Sequence, residues 1–201
     1  VGLGAGWKLA PHRGACCADA LVAATDGPWR TVHMIGDFEM YLDHLIQQGG
    51  PTPSEYHEVD RRIWLLNEAV LSGDVDRDDL LGLQAHFDTE FRRETVHGHG
   101  LDKPFGYSGD FLIIDKIYLR HRTPHEPLAA WDDYFHSHAA PEAVRNRKEY
   151  FKRLLRSLEF EKKRTAPARV LNVGSGPGRS VHEFLGGVEP GDVSFTCVDM
   201  D

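Results

Sequence analysis

The sequence predicts an α/β protein in which a helical N-terminal region precedes a single strand–helix–strand unit. Through residues 28–158, apolar side chains recur mostly at the spacing of amphipathic helices. Two short apolar runs rich in β-branched residues follow, at residues 170–173 and 193–198, with a glycine-rich turn between them. This order is typical of a βαβ unit, whose parallel strands are expected to be buried on both faces. We place the boundary between the two regions at residues 140 and 141.

Three successive helices are predicted at the front of the N-terminal region. The first spans residues 28–48, and the second follows a cap at Thr52 or Ser54. The third runs from about residue 78 to 93, after a cap at Asp76. The side chains expected to face the core are Ile63, Leu66, Val70 and Leu71 in the second helix and Leu80, Leu81, Leu83, Phe87 and Phe91 in the third.

Residues 97–118 differ in kind, because glycines and aromatic residues alternate with charges there. We predict a loop over this interval that closes over a ligand as a lid, since glycine permits close backbone approach and aromatic rings supply flat apolar surface. For Phe105 and Phe111, packing of the helical region on the sheet is the favoured interpretation. Tyr107 and Asp110 are instead candidates for contact with the ligand.

The glycine-rich turn lies directly after the first predicted strand. Gly174, Gly176 and Gly178 permit positive φ angles and remove the Cβ atoms that would keep a ligand from the backbone, while Pro177 stiffens the turn. Asp199 falls at the carboxyl end of the second strand. A carboxylate at this point suits a ribose, because it accepts hydrogen bonds from both vicinal hydroxyls.

This G-x-G-P-G turn and the Val-Asp-Met-Asp sequence at residues 198–201 resemble the first two motifs of class I S-adenosylmethionine-dependent methyltransferases. The resemblance covers residues 168–201 and implies the start of a Rossmann-like sheet, which in that family has further strands, so we expect the native chain to be longer. The spacing does not fit the dinucleotide pattern G-x-G-x-x-G. The residues that the resemblance assigns to the cofactor S-adenosylmethionine are Gly174, Ser175, Gly176, Pro177, Gly178, Asp199 and Met200.

A second resemblance involves K-P-F-G-Y-S-G-D-F at residues 103–111 and A-V-R-N-R-K at residues 143–148. Both are similar to segments of a bacterial methyltransferase subfamily, the 3-hydroxypalmitic acid methyl ester biosynthesis proteins. The resemblance implies that Tyr107 and Asp110 lie near the methionine end of the cofactor and that Arg147 lies near a carboxylate. It also implies a small-molecule methyl acceptor, either a carboxylate or another oxygen or nitrogen group. The catalytic residue stays unassigned, with Tyr107, Asp110 and Arg147 as candidates.

Net charge, apolar runs and cysteine count indicate which partners and which cellular compartment to expect. A net charge of −8 argues against binding to nucleic acid or to an anionic membrane, since both require a basic surface. No apolar run approaches the roughly 20 residues of a membrane-spanning helix. Three cysteines make no disulfide framework and predict a reducing cytoplasm, with Cys197 as a small buried side chain of the second strand. The oligomeric state is left open, with a homodimer as one candidate.

Four histidines, at positions 121, 125, 136 and 138, lie close together in the sequence. No acidic or cysteine partner stands at a recognised ligand spacing, so no metal site is predicted and solvated or capping histidines are favoured. One of these histidines is a candidate general base, because imidazole titrates near neutrality. A carboxylate acceptor would need no base, being already ionised, and Arg147 or Lys103 would then orient it.

Two questions stay open at the level of sequence. The basic face of the helix predicted from Pro141 is either a solvated surface or a means of directing Arg147 into the site. The chain itself is either a small-molecule methyltransferase or an incomplete fragment that serves as a cofactor-binding or interaction module. A nicotinamide-dependent oxidoreductase shares the βαβ unit but predicts a different glycine spacing.

Overall fold

The computed structural model describes residues 29–107, 109–159, 168–187 and 193–200, so Cys16, Cys17 and Asp201 lie outside the described residues. The helices are α1 (Trp29–Gln47), α2 (Tyr56–Ser72), α3 (Arg77–Ala85), α4 (Thr89–Glu94), α5 (Val96–Asp102), α6 (Phe111–Leu119), α7 (Glu126–Ser137), α8 (Ala139–Glu159) and α9 (Arg179–Leu185), and the strands are β1 (Ala168–Val173) and β2 (Val193–Val198). The predicted combination of a helical region with a small parallel sheet is thus confirmed.

Local side-chain chemistry explains where the first helices begin and end. The Asp76 carboxylate accepts hydrogen bonds from the Asp78 and Asp79 amides, which confirms the predicted cap of α3. The predicted cap of α2 is wrong, since Glu55 occupies that position without a side-chain bond to the helix. The Thr52 hydroxyl instead donates to the Glu55 carboxylate at 2.7 Å.

The helix predicted from about residue 78 to 93 is two helices, α3 and α4. The chain leaves α3 after Ala85, and the Asp88 carboxylate accepts a hydrogen bond from the Phe91 amide at 2.7 Å. An aspartate side chain that binds a nearby backbone amide favours a new helix start over continuation of the old one. The apolar stripe continues through Phe87 and Phe91 although the helix does not.

The interval predicted as a loop, residues 97–118, is largely helical. It contains most of α5 and α6, and only residues 103–110 join them. Thr95 caps α5 by accepting a hydrogen bond from the Gly98 amide. A Cβ at Gly98 would lie 2.3 Å from the Phe91 carbonyl oxygen, so glycine at this position is what lets α5 lie against α4.

The main core lies among α1, α2, α4 and α7. Its buried members are Leu42, Leu45, Val59, Phe91, Trp131 and Tyr134. The predicted inner face of α2 is wrong in part, because Val59 and Ala69 are its buried residues whereas Leu71 is 74 % exposed. A second cluster joins Val96 of α5 to Ile113 and Ile117 of α6.

The sheet consists of β1 and β2 in parallel, paired from Ala168 with Val193 to Val173 with Val198. Helix α9 covers one face, where the Phe184 and Phe195 rings lie 5.9 Å apart. The expectation that both faces are buried is wrong for the described residues, since Val173 is 74 % exposed on the opposite face. Cys197 is likewise exposed rather than buried.

Helix α8 packs against α6, α7 and α9 and so connects the helical region to the βαβ unit. Lys148 and Lys152 of α8 both donate to the Glu183 carboxylate of α9, at 2.6 Å and 2.5 Å. The predicted boundary at residues 140 and 141 falls within the first turn of this helix. In the described parts of the chain, every helix is too short or too polar to cross a membrane.

Candidate cofactor-binding site

The glycine-rich turn between β1 and α9 has a backbone conformation that only glycine adopts easily. The φ angles of Gly174, Gly176 and Gly178 are 68°, 54° and 66°. A Cβ added at any of the three would meet nothing within 4 Å, so the conformation, and not crowding by the protein, is what requires glycine. The space beside the turn is open to a ligand that contacts the backbone.

Backbone hydrogen bonds hold this turn against the end of β2. The Gly174 amide donates to the Val198 carbonyl at 2.8 Å, and the Ser175 amide donates to the same oxygen at 3.3 Å. Within the turn, the Gly178 amide donates to the Ser175 carbonyl at 3.2 Å. Parallel pairing therefore brings the turn and the residues after β2 to one edge of the sheet.

Asp199 contacts the turn directly. One of its carboxylate oxygens accepts from the Gly176 amide at 2.5 Å and the other from the Met200 amide at 2.7 Å. The two amides fix the position of the carboxylate, whose oxygens each have a second lone pair that can accept from a ligand hydroxyl. The residues of the turn, Asp199 and Met200, which the sequence assigned to the cofactor, therefore lie together. The Met200 side chain is 85 % exposed.

Arg179, the first residue of α9, forms an ion pair with Asp115 of α6. Its Nε donates to one carboxylate oxygen, and its Nη2 donates to the other at 2.7 Å. This bidentate contact raises the pKa of Arg179 and attaches the start of α9 to the helix that follows the 103–110 loop. Sequence reasoning missed this pair, because 64 residues separate its members.

The Arg179–Asp115 pair is expected to contribute about 1 kcal/mol to stability, since both side chains are partly buried and the contact is bidentate. The check is a double-mutant cycle with Arg179→Ala and Asp115→Ala, measured by urea unfolding. The exposed pair Arg122–Glu126 serves as the control and should show no measurable coupling. Equal coupling in the two cycles would contradict the prediction.

Asp110 has a structural role in addition to any contact with a ligand. It is 1 % exposed, and one of its oxygens accepts from the Leu112 and Ile113 amides at 2.9 Å as the cap of α6. The other oxygen lies 2.8 Å from Nε2 of the buried His99. An aspartate before the apolar run that starts at Phe111 is a helix-start signal that the predicted loop overlooked.

The aromatic residues of the 103–110 loop and its flank are less buried than Asp110. Tyr107 is partly buried. The Phe105 and Phe111 rings pack against each other with centroids 5.0 Å apart, and Phe105 is 46 % exposed. Asp110 caps α6 and Asp115 lies at the middle of the same helix. The ion pair of Asp115 with Arg179 therefore links the helix that follows this loop to the element that begins at the glycine-rich turn.

The basic face of α8 divides into two parts. Lys148 and Lys152 are largely buried against Glu183, and although burial acts to raise the pKa of Glu183, hydrogen bonds from the two lysines outweigh it and lower that pKa. Arg147 is exposed on the same helix. The basic face was expected either to be a solvated surface or to direct Arg147 into the site. The two lysines do neither, because they hold α8 against α9.

Two of the four histidines that lie close together in the sequence make hydrogen-bond contacts with neighbouring groups. His136 Nε2 lies 2.9 Å from the His121 carbonyl oxygen, and His138 Nε2 lies 3.0 Å from the Asp60 carboxylate. In the ranges that the structure describes, no three or more His, Cys, Asp or Glu side chains are grouped so as to hold a metal ion.

Comparisons of the chain with protein-family models, with curated proteins and with solved structures found no match in any of the three. The features that indicate a function are the geometry of the turn, Asp199 and the elements attached to them.

Proposed function

We propose that this chain belongs to an S-adenosylmethionine-dependent methyltransferase that acts on a small molecule. The single observation that carries the proposal is the contact between the Gly176 amide and the Asp199 carboxylate. It joins a glycine turn with positive φ angles to an acidic residue at the end of the adjacent parallel strand. In a Rossmann-like sheet this is the edge at which a nucleoside binds.

The residues of the turn fit the proposed cofactor in shape and in hydrogen-bonding capacity. The open space beside Gly174, Gly176 and Gly178 allows a flat or extended ligand to touch the backbone. Asp199 offers acceptor lone pairs to two vicinal ribose hydroxyls, and its position is already fixed by two amides. This preorganisation reduces the entropy that binding would otherwise lose.

When bound, the cofactor supplies a methyl group on a positively charged sulfur. Transfer of that methyl group is an in-line displacement, so the protein contributes mainly by positioning the acceptor and excluding water. We propose a carboxylate acceptor oriented by Arg147, with another oxygen or nitrogen acceptor as the second candidate. A hydroxyl or protonated amine would also need a general base, whereas a carboxylate would not.

The cofactor assignment is tested by calorimetry with S-adenosylhomocysteine and, in parallel, NADH. Saturable binding of S-adenosylhomocysteine alone is the expected result, because the glycine spacing does not match the dinucleotide pattern. Binding of NADH alone would replace the proposal with an oxidoreductase. Cofactor binding without methyl transfer would instead favour a cofactor-binding or interaction module.

Asp199→Ala is expected to weaken S-adenosylhomocysteine binding by about 1–3 kcal/mol, through loss of hydrogen bonds from the ribose hydroxyls to a charged acceptor. The measurement is the dissociation constant by calorimetry. Asp37→Ala, which removes an exposed aspartate on α1, is the matched control and should leave binding unchanged. Wild-type affinity in Asp199→Ala would remove Asp199 from the site.

A further inference from the structure

A cavity of about 270 Å³ lies in the helical region, among α1, α2, α3, α4, α5 and α7. Its wall is almost wholly apolar and includes Leu42, Leu45, Leu83, Phe87 and Trp131. None of its lining residues belongs to β1, α9 or β2, so it is separate from the proposed cofactor site. The cavity is partly open to solvent, and Ile63 on its wall is 41 % exposed.

Two polar atoms on the cavity-lining residues are buried without a hydrogen-bond partner. They are the Tyr41 hydroxyl and His97 Nδ1. Buried polar atoms in folded proteins nearly always have a partner, because leaving one unpaired costs about 1–3 kcal/mol. Two such atoms on residues that line one apolar cavity indicate that something absent from the described chain satisfies them.

The chemistry of His97 specifies which kind of group this is. Its Nδ1 is buried without a hydrogen-bond partner, and its ring stacks on that of Tyr134 with centroids 5.8 Å apart. Burial, with a smaller effect from His138, lowers the pKa of His97 to about 4, so the ring is neutral near pH 7. Nδ1 of a neutral ring is a lone-pair acceptor or an N–H donor according to the tautomer, and a ligand hydroxyl can pair with it in either case.

The Tyr41 hydroxyl is the second unpaired polar atom on a residue that lines the cavity. Burial raises the pKa of Tyr41, and the nearby carboxylates of Glu55 and Glu58 raise it further. Its phenol therefore keeps its proton and can donate as well as accept. A hydroxyl is the simplest ligand group that both donates and accepts.

We propose that this cavity binds a small, mainly apolar molecule that carries a hydroxyl group, with the hydroxyl bonded to His97 Nδ1. An apolar cavity of about 150 Å³ accommodates one benzene, so this one accommodates roughly ten non-hydrogen atoms. The proposal does not depend on the proposed methyl transfer, because it uses no residue of the glycine-rich turn. The cavity would thus be a second binding site, located within the helical region.

The test compares two probes on the full chain, 1-naphthol and naphthalene, which share one ring system and differ in the hydroxyl. Calorimetry, with the protein injected into dilute probe, should give one saturable site for 1-naphthol. Naphthalene should bind roughly 5- to 30-fold more weakly, because it leaves His97 Nδ1 unpaired. Absence of saturable binding by either probe, or equal affinity for both, would overturn the proposal.

Three variants locate the site. Leu83→Trp fills the cavity and should abolish binding, whereas Leu81→Trp, at a residue 49 % exposed on the same helix, should leave binding unchanged. His97→Phe keeps an aromatic ring against Tyr134 but removes Nδ1. The affinity for 1-naphthol should therefore fall to that for naphthalene. If Leu83→Trp fails to fold, the His97→Phe comparison decides alone.

Binding of S-adenosylhomocysteine, measured on the same samples, is expected to be unaffected by the naphthol and by all three variants. Loss of naphthol binding with retained cofactor binding would overturn only the cavity proposal. Loss of cofactor binding with retained naphthol binding would overturn only the methyltransferase proposal. Retention of naphthol binding by Leu83→Trp would show that the probe binds elsewhere and would overturn the cavity assignment.

Discussion

Replacing Asp132 with alanine is expected to lower the free energy of unfolding by about 3–5 kcal/mol, because two buried backbone amides would lose their acceptor. Asp132 lies on α7 and is fully buried. One of its oxygens accepts from the Val96 amide at the start of α5, and the other from the Thr123 amide before α7, both at 2.8 Å. Val96 and Thr123 are themselves buried, so alanine would leave both amide donors without an acceptor.

The neighbouring Asp133 provides a matched control for this experiment. Asp133 is exposed on the same helix and pairs with the exposed Arg122. Asp133→Ala should leave the urea midpoint close to that of the wild-type protein, since exposed ion pairs contribute little. Asp132→Asn keeps one acceptor oxygen, so its urea midpoint should lie between those of Asp132→Ala and the wild-type protein. Equal unfolding midpoints for the alanine variants at 132 and 133 would contradict the assigned role of Asp132.

Two features that depend only on local chain geometry were predicted correctly from the sequence. Asp76 caps α3 because its carboxylate reaches amides two and three residues away. The glycine-rich turn and Asp199 lie together because the carboxyl ends of neighbouring parallel strands always share one edge of a sheet. Both features follow from general rules of chain geometry, and neither depends on the rest of the fold.

Contacts between distant segments could not be predicted in this way. Asp132 reads as one of two adjacent acidic residues on a helix, and only the packed structure shows which one meets the Val96 amide 36 residues away. The pairing of Asp115 with Arg179 is a similar case. Apolar periodicity also overestimated burial, since Leu71 and Leu81 fit their stripes and are nevertheless exposed.

The 103–110 loop shows why part of the candidate site was misjudged. The alternation of glycines, aromatic residues and charges over residues 97–118 predicted a loop, and glycine does weaken helices. Close packing of α5 on α4 requires a glycine at position 98, and that tertiary contact outweighs the local preference. The resulting loop is shorter than predicted, and its last residue, Asp110, is committed to capping α6.

Acidification is expected to destabilise the protein through His97, beginning above the pH at which carboxylates protonate. Burial, followed by the effect of His138, lowers the pKa of His97 from 6.5 to about 4 in the folded chain. The unfolded chain therefore takes up a proton first as the pH falls below 6.5, and stability is lost between that value and about 4. The loss should reach about 2 kcal/mol near pH 5 and about 3 kcal/mol near pH 4.

His97→Phe isolates this contribution, because phenylalanine fills the same place beside Tyr134 and does not titrate. Urea unfolding of both proteins across this pH range gives the difference in their free energies of unfolding. As the pH falls, the wild-type protein should lose more of its free energy of unfolding than His97→Phe does. Burial also lowers the pKa of His136, but that contribution is largely common to both proteins. Parallel stability curves for the two proteins would mean that His97 is protonated as readily in the folded chain as in the unfolded one.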